Sequence, residues 1–329
     1  MRAHFIDVGQ GAATLLEFPC GAVLIDAGAQ DVTYEARLLD YLDRFFSRRS
    51  DLNRTLDLVA ITHAHIDHNI ALDNVLQRYT VKNYVDNGLR NGSGRFNQKW
   101  AQDNAANLNM TYASYSFESI VAASGAHGYT DSIIDPLDCD EVDPVITLFA
   151  GRFDTRPAGW TSTAFKNGNN HSLVIRAEFG SASFLFTGDL EETGLRTLVM
   201  HYDSANVLDS DVLHVGHHGS HNATTSELLA EVTASHAVIS CGRWNYGLGP
   251  DDPSTFNTYK YGHPRIVTIE LLAASIPGNR STTIEVMAAE RSKEFRPISV
   301  RKRIYATPWD GTINVRAESS GAYRVTRFH

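Results

Sequence analysis

Three histidines and an aspartate lie within six residues, just after the apolar run at positions 58–61. The run is short and apolar throughout, which predicts a buried strand. His63 and His65 are two residues apart, so their side chains point the same way in an extended segment. If the chain then turns into a helix, Asp67 and His68 face a second point nearby. Imidazole and carboxylate together suit zinc, manganese or iron, so the spacing predicts a metal site at the end of this strand.

A second concentration of histidines follows another apolar segment, with His214, His217, His218 and His221 close together around a glycine turn. As in the first group, the histidines come where a predicted strand runs into a loop. Loops held by a rigid sheet are common places for metal and catalytic sites. His214 falls inside the strand, so we expect it to pack, and we expect His221 to be exposed.

Asp26 ends a third apolar strand and comes two residues before a glycine. Its carboxylate would either cap the turn or orient a metal-bound histidine from behind. The residues alone do not choose between these two roles.

The composition indicates an ordinary globular protein. The chain has 329 residues, of which 43% are hydrophobic and 20% are charged, so it can bury a full core. Its net charge of −9 argues against a surface coated with basic residues for non-specific nucleic-acid binding, but it leaves room for a local basic patch. No apolar run is long enough to span a membrane, and we expect no membrane partner.

The cysteines predict a reducing environment. Cys20, Cys139 and Cys241 are odd in number and widely spaced, and no Cys-x-x-Cys pair occurs. We therefore expect neither a disulfide framework nor a thiolate zinc site. A cytoplasmic location follows from that expectation.

The His-x-His-x-Asp-His spacing of residues 63–68 resembles the metallo-β-lactamase superfamily. Segments 5–11 (FIDVGQG), 24–28 (LIDAG) and 217–220 (HHGS) resemble its ComEC-like branch, the soluble hydrolase domain of competence DNA-uptake proteins. The likeness covers nearly the whole chain. It implies an α/β fold, an αββα metallo-β-lactamase-like sandwich with a two-metal site on one edge. Where that branch usually has an aspartate after Gly-Gln-Gly, this chain has Ala12.

The resemblance also implies which side chains hold two divalent metal ions, Zn²⁺ or Mn²⁺. The implied ligands are His63, His65 and His171 for the first ion, Asp67, His68 and His218 for the second, and Asp189 as the bridge between them. Asp67 would in addition orient the attacking hydroxide. His217 would contact the substrate phosphate or protonate the leaving group.

Two of these assignments have alternatives. His171 stands in an Asn-rich turn that could hold a histidine without a function, and its neighbour Asn170 could face the metal instead. The roles of His217 and His218 could also be exchanged.

His263 is a further catalytic candidate, expected to contact substrate. The branch has an Asn-x-Tyr-Gly-His-Pro motif, which is split here by a polar insertion at roughly 247–260. An alternative register puts Gly249-Pro250 at the His-Pro position. We favour His263 because an apolar helix follows it, as it does in the branch.

These residues imply a dinuclear metal-dependent hydrolase. Two metals lower the pKa of a shared water, so that hydroxide is available near neutral pH. The resemblance implies a phosphodiesterase, most plausibly a nuclease acting on DNA or RNA. The alternatives are an esterase for small phosphodiesters of the choline-phosphate type, a β-lactamase or lactonase, and a metal-binding subunit gated by a protein partner in a larger complex.

We expect a single domain over residues 1–329, with a C-terminal strand or hairpin extension from about residue 296. Residues 86–116 are predicted to form a long polar loop that overhangs the metal edge, with one helix near 98–108. A basic cluster at Arg301, Lys302 and Arg303 is either a solvated strand face or a phosphate-binding patch.

Overall fold

A computed structural model describes residues 1–203, 205–248 and 257–328. Two stacked β-sheets form the centre of the molecule, and helices cover the outer face of each sheet. The prediction of an αββα sandwich is therefore confirmed.

The strands, in chain order, are β1 (Arg2–Phe5), β2 (Thr14–Glu17), β3 (Ala22–Ile25), β4 (Thr55–Ile61), β5 (Thr80–Asp86), β6 (Thr111–Ser114), β7 (Pro144–Ala150), β8 (Val174–Phe179), β9 (Ala182–Phe186), β10 (Val212–His214), β11 (His236–Ile239), β12 (Asn279–Arg291), β13 (Glu294–Lys302), β14 (Ile304–Ala306), β15 (Thr312–Ala317) and β16 (Tyr323–Phe328). The helices are α1 (Val32–Arg48), α2 (Ile66–Asn69), α3 (Leu72–Arg78), α4 (Arg95–Asn104), α5 (Phe117–Ser124), α6 (Ser162–Lys166), α7 (Glu192–Tyr202), α8 (Ser226–Val232), α9 (Thr258–Tyr261), α10 (Ile266–Ser275) and α11 (Thr307–Asp310). Short 3₁₀ turns lie at Ser50–Leu52, Gly168–His171 and His217–Gly219.

The first sheet has the strand order β16-β15-β1-β2-β3-β4-β5-β6. Its neighbours are antiparallel from β16 to β3 and parallel from β3 to β6. β4 is buried along almost its whole length, as expected for a strand inside a parallel array with both faces covered. Because β3 and β4 run the same way, their carboxyl ends meet at one edge of the sheet.

The second sheet has the order β14-β11-β10-β9-β8-β7. The strands from β14 to β9 are parallel, and β8 and β7 complete the sheet as antiparallel neighbours. The carboxyl ends of β9, β10 and β11 therefore also meet at one edge, which places several loops together.

Three apolar clusters hold these layers together. One lies between the sheets and includes Phe5 and Leu58 from the first sheet and Phe184 and Val212 from the second. The other two lie outside the sheets, one under α7, α8 and α10 and one under α1, α3 and α4. Among the described helices, none is both long and apolar enough to cross a membrane.

The polar segment 86–116 is not the long loop that we predicted. It contains α4 and the edge strand β6, which pairs with β5. The helix begins at Arg95 rather than near residue 98, and only residues 87–94 form a loop beside the histidines. The segment is polar because it contains a helix that is partly exposed to solvent, not because it forms an irregular loop.

The C-terminal region is not an extension that begins near residue 296. That residue lies inside β13, which pairs with β12 in a hairpin. The next strand, β14, joins the second sheet beside β11, and β15 joins the first sheet beside β1. The end of the described chain thus contributes one strand, β14, to the second sheet and two strands, β15 and β16, to the first.

Cys20 and Cys139 form a disulfide, so the prediction of no disulfide is wrong. The two residues are 119 positions apart, and the fold brings the turn after β2 against the segment before β7. Structural disulfides persist in oxidising compartments. The cysteine-based argument for a reducing cytoplasm therefore no longer applies. Cys241 is free and buried.

Candidate metal centre

The candidate site residues lie in loops that follow the carboxyl ends of parallel strands. Asp26 follows β3 and His63 follows β4, while Asp189 follows β9 and His218 follows β10. Ligand sites of open α/β sheets commonly occupy this position. Because the loops come from both sheets, the site lies at the edge that the two sheets share.

Six of the seven predicted metal ligands come together in two overlapping groups. The first group is His63, His65 and Asp189, and the second is Asp67, His68, Asp189 and His218. Within each group the ligand atoms all lie within 4.8 Å of one another. Asp189 belongs to both groups, which is the arrangement expected of a bridging carboxylate.

The facing ring nitrogens show that these groups suit a cation. Nε2 of His63 lies 3.0 Å from Nδ1 of His65, and Nε2 of His68 lies 3.2 Å from Nε2 of His218. A neutral imidazole carries one proton, so such pairs turn lone pairs towards a shared space. With the carboxylates, they provide the nitrogen and oxygen donors typical of zinc, manganese and iron sites. The two groups are able to hold divalent metal.

Asp26 contacts His68 from the side away from the cluster. Its Oδ2 accepts hydrogen bonds from Nδ1 of His68 at 2.7 Å and from the Thr62 hydroxyl at 3.0 Å. Its Oδ1 accepts from the Thr62 amide at 2.7 Å. With the proton on Nδ1, the Nε2 lone pair of His68 is left for a cation. The structure gives Asp26 the orienting contact that was one of its two expected roles.

The structure separates His218 from His217. Nδ1 of His218 donates to the Ser240 carbonyl at 2.8 Å, while its Nε2 lies 3.1 Å from Oδ2 of Asp67. The ring of His218 is thus fixed from behind and faces the second group. Nε2 of His217 lies 3.8 Å from Asp189, and its side chain is 20% exposed. His217 stands at the open side of the cluster, where a substrate can reach it.

His171 lies in neither group. Its Nδ1 accepts from the Phe153 amide at 3.0 Å, and its Nε2 donates to the Phe165 carbonyl at 2.6 Å. With both ring nitrogens bound to the main chain, His171 has no lone pair for a metal. The geometry does not support the prediction that His171 is the third ligand of the first ion. It fixes the turn that leads into β8.

The neighbouring Asn170 is equally occupied. Its side-chain amide donates to the Ala164 carbonyl at 3.0 Å, and its oxygen accepts from the Glu191 amide at 3.2 Å. The alternative in which Asn170 faces the metal therefore has no support in the structure.

Asn169 is the side chain of this turn that reaches towards the cluster, and the sequence analysis missed it. Its Nδ2 donates to Glu191 at 2.9 Å and lies 3.5 Å from Nε2 of His217. Among the atoms of the described residues, its buried Oδ1 has no hydrogen-bond partner. Buried polar atoms are nearly always satisfied, so this oxygen is free to contact a bound ion, a water molecule or a ligand. The Asn-Asn pair was visible in the sequence, but its orientation was not.

His263 lies beside the two histidines of the second sheet. Its ring centroid is 5.6 Å from that of His217 and 6.0 Å from that of His218. The Gln10 side chain donates to Nδ1 of His263 at 3.1 Å and accepts from the Thr258 hydroxyl at 3.0 Å. This network, from which the tautomer is assigned, leaves a proton on Nε2. The competing register at Gly249-Pro250 lies outside the described residues.

The glycine-rich loops after β1 and β3 contact the backbone of Asp67. The Ala12 amide donates to the Asp67 carbonyl at 2.9 Å, and the Gly28 amide donates to the Ala12 carbonyl at 2.9 Å. A Cβ on Gly28 would lie 1.6 Å from that Asp67 carbonyl oxygen, so no larger residue fits there. Ala12 thus supports the metal loop through its main chain.

The loop at residues 87–94 holds the same segment from the other side. The Gly94 amide donates to the Ala64 carbonyl at 2.8 Å, and the Ser93 hydroxyl accepts from the Ile66 amide at 3.0 Å. A Cβ on Gly92 would lie 2.6 Å from the His65 ring. This loop therefore sets the position of His65.

The charges in the cluster stabilise one another. Burial disfavours the ionised form of Asp189, but the surrounding His68 and His218 hold its pKa well below the usual range. Burial likewise opposes the charged form of His68, but Asp189 and Asp26 raise its pKa well above the ordinary value. The cluster without metal is thus a network of ion pairs, from which a bound cation would displace protons.

The sequence model described as "Metallo-beta-lactamase superfamily" matches residues 6–243, which include all the clustered ligands. The chain belongs to this superfamily. The two groups of candidate ligands lie at the edge where the resemblance placed a metal site, and the prediction of the family is confirmed.

Several curated relatives of this superfamily member carry competence or recombination names. The chain is 34% identical over 104 residues to ComE operon protein 3 of Bacillus subtilis, a match covering 32% of this chain and 11% of that protein. It is 44% identical over 78 residues to Recombination protein 2 of Haemophilus influenzae, covering 23% and 9%. It is 40% identical over 77 residues to competence protein ComA of Neisseria gonorrhoeae, covering 23% and 11%. The matches thus span about a tenth of each relative.

Solved structures with the same superfamily fold are more distant in sequence. Human tRNase Z, short form, is 16% identical with a TM-score of 0.39, and the match covers 72% of this chain and 91% of that one. A diphosphatase of the PhnP family is 13% identical with a TM-score of 0.36, covering 72% and 83%.

Proposed function

We propose that this metallo-β-lactamase superfamily protein is a dinuclear metal-dependent phosphodiesterase that acts on nucleic acid. Two divalent ions, Zn²⁺ or Mn²⁺, would be held by His63, His65 and Asp189 and by Asp67, His68, Asp189 and His218. When bound, such ions lower the pKa of water and neutralise charge that develops on a phosphoryl group.

The observation that carries the proposal is the place of Asp189 between the two groups. Its Oδ1 lies 3.1 Å from Nε2 of His68, and its Oδ2 lies 3.8 Å from Nε2 of His63. The same Oδ2 lies 3.7 Å from Nε2 of His218. Oδ1 thus faces the second group and Oδ2 faces both groups, so this one carboxylate is suited to bridge a pair of ions. A paired site suits in-line displacement at phosphorus, where attacking and leaving oxygens both need stabilisation.

Three side chains would act on the substrate itself. His217, at the open side, would hold a phosphate oxygen or deliver a proton to the leaving oxygen. His263, with its proton placed on Nε2 by Gln10, would donate a hydrogen bond to the phosphate. Asp67 would orient the attacking water in addition to its ligand role.

The test is a comparison of metal content and substrate turnover. The purified chain should hold close to two transition metals and should hydrolyse bis-p-nitrophenyl phosphate and DNA or RNA, but not a lactam. Asp189→Asn should lose both metal and turnover, because one carboxylate serves both groups. Absence of metal from the wild-type chain, together with no activation by added Zn²⁺ or Mn²⁺, would overturn the proposal.

Asp211→Asn is a matched control for Asp189→Asn. Asp211 precedes β10 at the end opposite to the metal edge, where it accepts a hydrogen bond from the Ser183 hydroxyl at 2.8 Å. The control should therefore keep its metal. Hydrolysis of a lactam or lactone in preference to every phosphodiester would replace the proposed substrate class while keeping the metal site.

The alternative of a partner-gated subunit makes a different prediction. The matched relatives are about ten times longer than the aligned segments, so a larger assembly is compatible with this chain. If a partner gates the site, the isolated chain would hold two metals but hydrolyse none of the esters.

A further inference from the structure

A large arginine-rich cleft lies beside α1, against the antiparallel end of the first sheet. Its volume is about 940 Å³. Seven arginines and two aspartates line it, in a chain whose overall charge is −9. The charged lining residues are Arg2, Asp7, Arg37, Asp40, Arg44, Arg48, Arg243, Arg316 and Arg324. The cleft is thus positively charged, although the chain as a whole has a negative net charge.

One wall of the cleft is a row of arginines across three neighbouring strands. Arg2 on β1 lies directly opposite Arg316 on β15, and Arg316 lies directly opposite Arg324 on β16. Side chains at directly opposite positions lie about 5 Å apart at their Cβ atoms, and like charges there are destabilising. A row of this kind costs stability unless an anion neutralises it, so this wall of the cleft is suited to receive an anion.

The other wall is one face of α1. Arg37, Arg44 and Arg48 recur at helical spacing with Tyr41 between them, and all line the cleft. Their positions follow the seven-residue and four-residue steps that put side chains on one face of a helix. The helix and the sheet therefore present two rows of guanidinium groups to the same space.

Carboxylates neutralise only part of this charge. Arg37 pairs with Asp7 at 3.0 Å, and Arg44 pairs with Asp40 at 2.6 Å. Arg2 reaches Glu17 at 3.4 Å. In residues 1–203, 205–248 and 257–328, no carboxylate lies within ion-pair distance of the remaining four cleft arginines, which are Arg48, Arg243, Arg316 and Arg324. These four cations are available to an external anion.

The cleft adjoins a second cavity that reaches His263, beside the metal centre. Arg243 lines both the cleft and a second cavity of about 460 Å³, and His263 and Trp244 line that second cavity. The loop after β1 makes the same connection, because Asp7 lines the cleft while Gln10 donates to His263 at 3.1 Å. Three residue steps separate these two positions, which is at most about 11 Å between their Cα atoms. The cleft therefore lies next to the side of the metal centre at which His263 stands.

We propose that one strand of a nucleic acid crosses this protein from the metal centre to the arginine cleft, with its phosphates on the cleft arginines. The proposal rests on the proposed phosphodiesterase function and names its substrate as a polymer. A small phosphodiester has one phosphate and would leave the cleft arginines without a ligand. Several cations along one track match the repeated phosphates of a strand.

Aromatic side chains along the same track favour an unpaired strand. Trp244 lines the cavity next to the cleft, and the half-exposed Phe328 lines the cleft itself. Bases that are free of a duplex stack on aromatic rings, which contributes about 1–3 kcal/mol per base. Grooves that combine such rings with cations are typical of single-strand binding.

The test measures strand binding as a function of salt. Fluorescence anisotropy of labelled single-stranded DNA and RNA, with phosphorothioate linkages to slow hydrolysis, would be followed on the metal-loaded protein. The cleft variant is Arg48→Gln/Arg316→Gln/Arg324→Gln. Each lost phosphate contact lowers the slope of log K against log salt by about 0.7, so the slope should fall by about 2. Affinity at low salt should fall by about tenfold or more.

The control variant carries the same change in charge elsewhere. The control is Arg301→Gln/Lys302→Gln/Arg303→Gln, which also removes three cations. Arg301 and Lys302 end β13, and Arg303 follows them. None of the three lines the cleft. The control should keep the wild-type slope. If the slope of log K against log salt falls in this control variant and not in the cleft variant, the proposal is overturned and the phosphates bind at the hairpin. The single charge reversal Arg324→Glu gives a second test if the triple cleft variant does not fold.

Turnover of bis-p-nitrophenyl phosphate by the wild-type protein separates this proposal from the proposed function. If that ester is hydrolysed but the cleft variant binds strands with the wild-type salt slope, the cleft proposal is overturned and the function stands. If no ester is hydrolysed but the slope falls as expected, the function is overturned and the cleft stands. Tighter binding of a blunt duplex than of the single strand would overturn the single-strand assignment. The tighter of the DNA and RNA ligands identifies the sugar.

Discussion

Oδ2 of Asp26 lies 2.7 Å from Nδ1 of His68, and this contact decides which nitrogen of His68 faces the metal groups. Asp26 has a positive φ of 59°, a conformation that non-glycine residues seldom adopt. The backbone at the end of β3 is held in this state with the carboxylate directed at His68. The carboxylate is therefore placed to act on the proposed metal centre through a histidine rather than as a ligand.

We expect Asp26→Asn to weaken metal binding by about 10–100-fold. The amide nitrogen of an asparagine would donate to Nδ1 of His68 and move the ring proton to Nε2, which faces Asp189. Competition with a chelator measures the change. Asp57→Asn is the control, since Asp57 is a buried carboxylate near the start of β4 that accepts from the Ala22 amide at 2.9 Å. Equal metal affinities in the two variants would show that Asp26 only caps its turn.

His217 and His218 should differ in what their loss removes. His218→Ala should lose metal and activity, because its Nε2 faces Asp67 in the second group. His217→Ala should keep its metal and slow phosphodiester turnover by about 10²–10⁴-fold, the usual cost of losing a proton donor or phosphate contact. Elemental analysis beside kinetics separates the two. Metal loss in His217→Ala, with full metal in His218→Ala, would exchange the assignments.

The sequence predicted the part of the site whose residues lie close together in the chain. His63, His65, Asp67 and His68 are adjacent in the chain, so strand and turn geometry alone place them together. Asp189 belongs to the other sheet, but it closely follows a recognisable strand. Parallel strands bring such ends to a common edge, so its place followed from the fold.

The features that the sequence did not predict depend on side-chain orientation or on contacts between distant segments of the chain. In the 3₁₀ turn at residues 168–171, Asn169 faces the cluster and His171 turns to the main chain, which residue type does not reveal. The contact between Gln10 and His263 joins positions 253 residues apart. The arginine row combines the first strand with two of the last ones. These arrangements are set by the packing of the sheets, which no single segment contains.

The disulfide should contribute measurably to stability. Cys20 and Cys139 close a loop with a sequence separation of 119, and a native bridge typically contributes about 2–4 kcal/mol to the free energy of unfolding. We expect Cys20→Ser/Cys139→Ser to lose that amount in urea unfolding. A reductant should destabilise the wild-type protein and leave the double variant unchanged. Two free thiols at these positions in the protein isolated without reductant would contradict the pairing.

Glu17 should make stability depend on pH in acid. It accepts from His4 at 3.0 Å and from Arg49 at 3.1 Å. Burial raises its pKa, but these partners outweigh burial and lower the pKa from its ordinary 4.5 to about 2. A lowered pKa means that the folded state binds the proton less tightly than the unfolded state. The stabilisation is therefore complete above pH 4.5 and disappears as the pH falls through 2.

Glu17→Gln should flatten this acid limb. We expect the variant to lose about 1–2 kcal/mol near neutral pH, after allowance for solvent screening of a partly buried group. Its loss of stability between pH 4.5 and 2 should be smaller than that of the wild type. Urea midpoints across this range provide the measurement. Glu318→Gln, at an exposed position, is the control and should keep the wild-type acid limb.

Asn169 and Asn170 are neighbours whose replacement by alanine should affect different properties. Asn170→Ala should mainly lower stability, and Asn169→Ala should mainly lower activity. In Asn170, both polar atoms are bonded, to the Ala164 carbonyl and to the Glu191 amide. Asn170→Ala leaves these buried partners unsatisfied and should cost about 1–3 kcal/mol of stability. Asn169→Ala instead removes an oxygen that has no partner among the described residues. Its stability should fall by no more than about 1 kcal/mol, the value of the one hydrogen bond to Glu191.

The two variants should also differ in activity. If Oδ1 of Asn169 contacts the bound ion or the substrate, Asn169→Ala should slow phosphodiester hydrolysis by about tenfold, which corresponds to about 1.4 kcal/mol for one lost contact. Asn170→Ala, once folded, should turn over at close to the wild-type rate, because its side chain points away from the cluster. Urea unfolding and turnover measured on the same preparations give both quantities. Full activity in Asn169→Ala with a large loss of stability would make Asn169 a structural residue of the turn and leave its unbonded oxygen without a ligand to serve.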